Sequence, residues 1–297
     1  MNKVNMSISV AIILVDYNGL YDTRECIKSI KNSNLSKLDV KIYVVDNAST
    51  IDEASIIKSD FPDVFTLRSN NNLGFSGGNN LAIEKAINDG VEYIILLNND
   101  TIIDPNMIQL LVNNANNYNV TVPTMYYYNN PQKVWYGGGE INKFSGNVNV
   151  NKIESFVKKR CTFATGCCIC VPRECFEKIG LLKEEYFMYC EDTEFSIRLL
   201  KNRINILLIP EAKLFHKVSV STGGEGSITS LYYSSRNRLF YINEHRDFFL
   251  PSAFFITYVT RYVKALFFLI KGNEKYKAYL QAIRDYKKNK IGKCMNF

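Results

Sequence analysis

Three carboxylates and one histidine stand where their types and spacing allow chemistry: Asp100, Glu191, Asp192 and His216. Asn98-Asn99-Asp100 closes an apolar run and reads as an Asp-X-Asp metal motif with asparagine in the first place. Carboxylate and phosphate oxygens suit Mg2+ or Mn2+, and Mn2+ also tolerates imidazole. Such an ion stabilises the charge that develops on a leaving nucleoside diphosphate. Glu191 and Asp192 open a helix behind the aromatic lead-in Tyr186-Phe187-Met188-Tyr189. A carboxylate there can take the proton from an attacking sugar hydroxyl, with the apolar lead-in excluding water. The plainer alternative is dipole complementarity at a helix start. A lone histidine such as His216 is more often structural than a ligand.

A second set of polar residues follows apolar runs: Asp16-Tyr17-Asn18, Asp46-Asn47-Ala48-Ser49 and Asn98-Asn99-Asp100. Asp46 can accept from a pyrimidine ring N–H, and Tyr17 can stack on the base. Turn formation explains any one of them; three ends aligned in one sheet favour a ligand edge. The stretch from Asn70 to Asn80 carries Asn72, Gly77, Gly78 and Asn79. Its glycines would let backbone approach a ligand, and the helix it opens would offer N–H donors to phosphate or sugar oxygens. It is neither a Walker loop nor a G-x-G-x-x-G turn, so ATP hydrolysis and dinucleotide binding are poorly supported.

The elements that must position these groups alternate. Strands are expected at Ser7 to Val15, Val40 to Val45, Val64 to Leu67 and Tyr93 to Leu97. Helices are expected at Thr23 to Lys31, at Leu81 to Asn88 after Gly77-Gly78, and after Asp104-Pro105, with Asp104 as N-cap. Four alternations predict a parallel α/β sheet with ligands at the carboxyl ends of its strands. Beyond residue 120 the pattern predicts strands at Val120 to Tyr128, Lys133 to Tyr136, Cys161 to Val171 and Ile204 to Ile209. Helices are predicted at Pro172 to Ile179, Glu191 to Asn202, Ser230 to Glu244, Ser252 to Ile270 and Glu274 to Lys288.

At 297 residues, 46% hydrophobic and 22% charged, the chain is an ordinary folded protein. Its net charge of +7 points to polyanionic partners, with much of the excess in the last forty residues. The run Ile8 to Val15 is too short for a signal segment and reads as a buried strand. Of eight cysteines, Cys161, Cys167, Cys168, Cys170 and Cys175 crowd together but lack the paired spacing of a zinc site. Free thiols in that number favour a reducing cytosol.

Taken in order, these segments resemble glycosyltransferase family 2, with its GT-A fold. The motifs are Val44 to Ser49, Gly74 to Asn79, Leu96 to Asp100, Thr165 to Cys168, Phe187 to Asp192, Pro210 to His216 and Tyr232 to Arg238. Together they span nearly residues 7 to 240, and the nearest likeness is to bacterial rhamnosyltransferases that build O-antigen, capsule or cell wall. The resemblance implies an inverting enzyme with Asp192 as base and with Asp100 and His216 on Mn2+ or Mg2+. Asp46 holds the nucleobase, and Glu191 contacts the acceptor. Asp16, Tyr17, Asn18, Asn47, Asn72, Gly77, Gly78, Asn79, Asn98 and Asn99 complete the donor side. Asn98 departs from a strict Asp-X-Asp and leaves a metal-independent reading open.

The implied organisation is a GT-A domain over residues 1–228, divided near residue 118 into nucleotide and acceptor halves, and a helical region over 229–297. The donor would be a dTDP- or UDP-sugar, with L-rhamnose the first guess, and the acceptor a glycan or a polyprenyl-diphosphate-linked glycan; no nucleic acid is implied. Arg236 and Arg238 are placed to hold a diphosphate or to form a solvated helix face. Ser219 to Gly226 is either a lid over the donor or a plain connection. Ser252 to Ile270 carries Arg261 and Lys264 near its middle. It therefore suits a membrane interface or a second subunit, a homodimer included, better than a span. Lysines in the tail favour anionic lipid at the inner face of the membrane. The rivals are a sugar-phosphate nucleotidyltransferase, which lacks its basic Gly-rich loop here, and a non-catalytic nucleotide-binding or membrane scaffold.

Overall fold

The computed structural model describes residues 7–218 and 226–294. The lid-or-connection segment expected at Ser219 to Gly226 lies, except for Gly226, outside the described residues. β1 (Ile8–Asp16) is fully buried from Val10 to Leu14, as a central strand covered on both faces must be. There follow α1 (Leu20–Lys31), β2 (Leu38–Asp46), α2 (Glu53–Asp60), β3 (Phe65–Arg68), α3 (Gly74–Asn88) and β4 (Tyr93–Leu97). The parallel order β4-β1-β2-β3 brings the ends of β1, β2 and β4 to one edge, where Asp16, Asp46 and Asn98 emerge.

The second half contributes β5 (Thr101–Ile103), α4 (Met107–Asn114), β6 (Asn119–Tyr127), β7 (Asn130–Tyr136), β8 (Gly139–Ile141) and β9 (Val148–Val150). Then come β10 (Lys159–Cys161), β11 (Cys168–Pro172), α5 (Arg173–Ile179), α6 (Glu191–Lys201), β12 (Asn205–His216), α7 (Ile228–Glu244), α8 (Pro251–Ile270) and α9 (Lys275–Lys287). β11 runs antiparallel to β4 and extends the sheet to the order β10-β12-β6-β11-β4-β1-β2-β3. The result is a mixed, mostly parallel sheet flanked by helices.

The differences from the sequence expectation have local causes. The strand expected at Cys161 to Val171 divides into β10 and β11, because Thr162 and Phe163 turn to donate to the carbonyl of Gly139. β12 continues past Pro210, which sits in the irregularity between Ile209 and Lys213, where its missing N–H does no harm. α4 starts at Met107, since Asp104 accepts from Asn106 and Met107 in a preceding turn instead of capping. α3 starts at Gly74, so Gly77 and Gly78 lie inside its first turns rather than before it. There a Cβ on Gly78 would stand 2.9 Å from Val15 Cγ1. The glycine serves close packing of α3 on β1, not approach of a ligand. Cys168 and Cys170 are buried core residues of β11.

The C-terminal helices join the same molecule. Tyr241, Ile242, Phe249 and Ala253 belong to the main core. A second small core packs Phe187 against Tyr232, Tyr233, Ala278 and Ala282. Helices α7 and α9 thereby press on the segment that carries Glu191 and Asp192.

Candidate active site

Asp100 follows β4 directly and His216 ends β12. The two meet because β5 pairs with β12, with Thr101 opposite His216. His216 Nε2 lies 3.1 Å from Asp100 Oδ1, and both side chains are almost fully buried. The amide of Lys217 donates to the Asp100 carbonyl at 2.9 Å. Trp135 on β7 meets the imidazole edge-on, with ring centroids 4.6 Å apart. Burial works against a charge on His216, but Cys167 and Asp100 outweigh it and raise its pKa to about 10. Two ligands bound at right angles, each about 2.1 Å from a cation, stand about 3.0 Å apart. The observed separation and the carboxylate–imidazole pair therefore fit a divalent ion.

Asp192 lies in the first turn of α6. Its Oδ2 accepts from the amide of Gly166 at 3.2 Å, and its Oδ1 from the amide of Thr193 at 2.7 Å. Burial raises its pKa against those hydrogen bonds. Glu191 is buried, and its Oε2 has no hydrogen-bond partner. Burial and the neighbouring Asp192 raise its carboxyl well above the usual range. The lead-in is bent sharply: Phe187, Tyr189 and Cys190 all have positive φ, at 63°, 64° and 72°. Such backbone is costly and persists only where surroundings enforce it. Asn237 of α7 does so, donating from Nδ2 to the carbonyls of Tyr186, Met188 and Tyr189 at 2.9, 2.9 and 2.8 Å.

One short segment links the two corners. Gly166 touches Asp192, and the side chain of the next residue, Cys167, lies against His216. The carbonyl of Cys167 accepts from the amide of Asn98 at 2.8 Å. Adjacent Cα atoms are about 3.8 Å apart, so the gap between Asp100–His216 and Asp192 is on the order of 10 Å.

The remaining expected donor residues divide into two groups. Tyr17 is exposed and Asn98 is partly open at the sheet edge. Asn18 is exposed as well, and the others are engaged within the protein. Asp46 is fully buried and accepts from the amides of Ser49, Glu53 and Ala54 and from Arg68 Nη1 at 2.7 Å. Its carboxylate is saturated as a brace between β2, α2 and β3, which corrects the expectation that it holds the base. Asn47 braces the α3 turn, donating to the Gly74 carbonyl and accepting from Leu73. Asn72 accepts from the amide of Gly74, and Asn79 donates to the Phe75 carbonyl. Asn99 donates to Asp16 and Thr23, and Asn18 accepts from the amide of Thr50. Asp16 accepts on one oxygen from Gly19, Thr23 and Asn99. Burial, then Glu53 beside it, push its carboxyl up to about 8.

Arg236 is likewise corrected. It is 1% exposed and donates to Asn237 Oδ1, the Tyr232 hydroxyl and the Gly292 carbonyl, so it orients Asn237 instead of reaching a diphosphate. Arg238, one turn of helix away from Ser234, keeps a buried Nε without a partner. Trp135, Gly166 and Asn237 were missed as site residues. The only signals were that Trp135 is the single tryptophan and that the other two stand inside motifs already singled out.

The sequence model of "Glycosyl transferase family 2" matches residues 11–180, more than half of the chain. The chain belongs to glycosyl transferase family 2. Among family relatives, the low-salt glycan biosynthesis hexosyltransferase of Haloferax volcanii is 26% identical over 237 residues, 77% of this chain and 74% of that one. The dTDP-rhamnosyl transferase RfbF of Shigella flexneri is 24% identical over 216 residues, 72% and 70% of the two chains. The crystal structure of GalNAc-T7 with UDP, GalNAc and Mn2+ superposes with a TM-score of 0.65 at 17% identity. It matches 82% of this chain, which spans about half (48%) of that longer protein. The family fold thus extends across sheet and flanking helices.

Proposed function

We propose that this family 2 glycosyltransferase transfers a sugar, L-rhamnose or another hexose, from a dTDP- or UDP-linked donor to a glycan with inversion. The observation that supports this reading best is the Gly166–Cys167 bridge, whose adjacent residues touch Asp192 and His216 respectively. Asp192 takes the proton of the acceptor hydroxyl as it attacks the anomeric carbon, in one direct displacement. Asp100 and His216 would hold Mn2+ or Mg2+, which when bound supplies charge stabilisation to the departing diphosphate. Asn237 and Arg236 keep the base segment in its strained shape, and Trp135 packs against the His216 ring. The helical region over 229–297 braces this half of the site and leaves α8 outward-facing. α8 is the one helix among the described residues long and apolar enough to cross a bilayer. Because it packs against α9 and carries Arg261 and Lys264, it suits the cytosolic membrane interface better.

A thermal-shift series with nucleotide sugars, each with and without Mn2+, tests the reading, since a ligand of the folded state raises stability by mass action. A dTDP- or UDP-sugar should raise the melting temperature only with the metal. Equal shifts without metal would contradict the donor site proposed.

A further inference from the structure

Helix α8 is built inside out. Its buried stripe is Ala253, Thr257, Arg261 and Ala265 at strict four-residue spacing. Its outward stripe is Phe255, Val259, Val263, Leu266 and Ile270, which are 37–76% exposed. An ordinary surface helix does the reverse. Arg261 is only 5% exposed, yet its guanidinium meets just the Thr257 carbonyl at 3.0 Å and the Thr260 hydroxyl at 3.2 Å. Its Nε has no partner. Arg238 comes alongside from α7, bonded to Asn147 Oδ1 and with its own Nε buried and unpartnered. Lys264, one turn further along α8, lies over the Tyr279 ring at 6.0 Å. Among the described residues, no carboxylate lies within ion-pair distance of any of the three. A buried cation without a counter-ion is strongly unfavourable, and its persistence calls for an anion that arrives from elsewhere.

The surroundings say which anion. Cys190, directly before the two carboxylates of α6, donates from its thiol to the carbonyl of Ser234, one turn before Arg238 on α7, at 3.9 Å. With Asn237, the neighbour of Arg238, bonded to the carbonyls of Met188 and Tyr189, Arg238 lies on the α7 side of the segment that carries Glu191 and Asp192. Tyr241 donates to the Gly146 carbonyl at 2.6 Å and Thr257 to the Ser145 carbonyl at 3.1 Å. The β8–β9 turn, α7 and α8 are thereby locked into one wall around the guanidinium groups.

We infer that Arg238, Arg261 and Lys264 form an anion site between α7 and α8 that holds the phosphate or diphosphate group of the acceptor. The inference rests on the transfer reading for the hydroxyl at Asp192, but the site itself is defined by its own unpaired cations. A guanidinium pairs with phosphate oxygens on two edges, whereas the ammonium of Lys264 closes over them as a mobile point charge. The apolar outer stripe of α8 lies on the opposite face of the helix from Arg261.

The test uses the full chain in EDTA, so that no metal aids binding at Asp100, with inorganic pyrophosphate and farnesyl diphosphate as probes. Calorimetry should show both binding; tighter binding of farnesyl diphosphate would make a lipid-linked acceptor the source of the anion. Arg261→Met and Lys264→Met should each weaken pyrophosphate by about tenfold or more, as loss of a charge-assisted contact does. Arg261→Lys should recover part of the loss. Arg261→Met should also raise the melting temperature without ligand, because it removes a buried unpaired charge; a merely structural arginine would lower it. Asp100→Asn should leave pyrophosphate binding intact. Equal farnesyl and pyrophosphate affinities would keep the anion site and make a soluble phosphorylated glycan its source. Unchanged pyrophosphate affinity in Arg261→Met and Lys264→Met would overturn the inference. Mn2+-dependent dTDP binding, measured in parallel in wild type and Arg261→Met, reports separately on the donor reading and should be equal in the two.

Discussion

The amide of Gly166 donates to Oδ2 of Asp192 at 3.2 Å, and a Cβ on Gly166 would stand 2.9 Å from the Phe75 ring and 3.7 Å from Asp192 Cβ. The position between the base and α3 therefore admits no side chain. Gly166→Ala should displace either Phe75 or the Asp192 carboxylate by a few tenths of an ångström. Positioning errors of that kind cost rate more than binding. Steady-state kinetics should show kcat reduced at least tenfold with donor KM changed less than threefold.

Asn237 holds three carbonyls of the strained lead-in, and its own Oδ1 accepts from Arg236. Asn237→Ala leaves those groups buried and unsatisfied, at a cost of about 3 kcal/mol. Urea unfolding should show that loss, with kcat falling more than the change in donor affinity, because the donor corner at Asp100 does not depend on α7.

Gly74 has φ of +73°, and a Cβ there would meet the Phe187 carbonyl at 2.1 Å. That carbonyl accepts from the amide of Phe75 at 2.7 Å, so α3 and the base segment are joined at this point. Gly74→Ala should destabilise by more than about 1 kcal/mol, the amount at which backbone preference alone acts. Chemical denaturation checks this; a neutral result would contradict the close approach.

The Asp16 carboxyl is held up near 8 by burial and by Glu53, against 3.8 in the unfolded chain. A raised folded pKa favours the folded state fully below about pH 4 and loses that contribution as pH climbs toward 8. Asp16→Asn keeps an acceptor oxygen for Gly19 and Thr23 but cannot ionise. Its melting temperature should exceed that of wild type by a margin that widens from pH 5 to pH 8; a constant or shrinking margin would contradict the burial of that charge.

The sequence displayed much of this and hid the rest for identifiable reasons. β1, β2 and β4 were legible because strands buried on both faces show unbroken apolar runs. Asp100, Asp192 and His216 were legible because each closes or opens such an element. The role of Asp46 was misread because a saturated brace and a base-binding carboxylate look alike until partners are counted. Arg236 was misread for the same reason, since a long cation at a motif's centre gives no sign of being folded under. Gly166, Trp135 and Asn237 act through partners more than thirty positions away or on other elements, which no local pattern reports. The β10–β11 interruption escaped notice because Phe163, Ala164 and Cys167, among the residues leaving the sheet, continue the apolar run.

The central claim is that Asp192 does the proton transfer while Asp100 and His216 hold the metal and donor across a sugar-sized gap. The most direct test is Asp192→Asn, with release of nucleoside diphosphate from the dTDP- or UDP-sugar and Mn2+-dependent donor binding measured on the same preparation. Loss of a positioned general base costs about 10²–10⁴ in rate. The account predicts that nucleotide release falls by that factor or more while donor affinity stays within threefold of wild type. Turnover retained in Asp192→Asn, or donor binding lost along with it, would contradict the account.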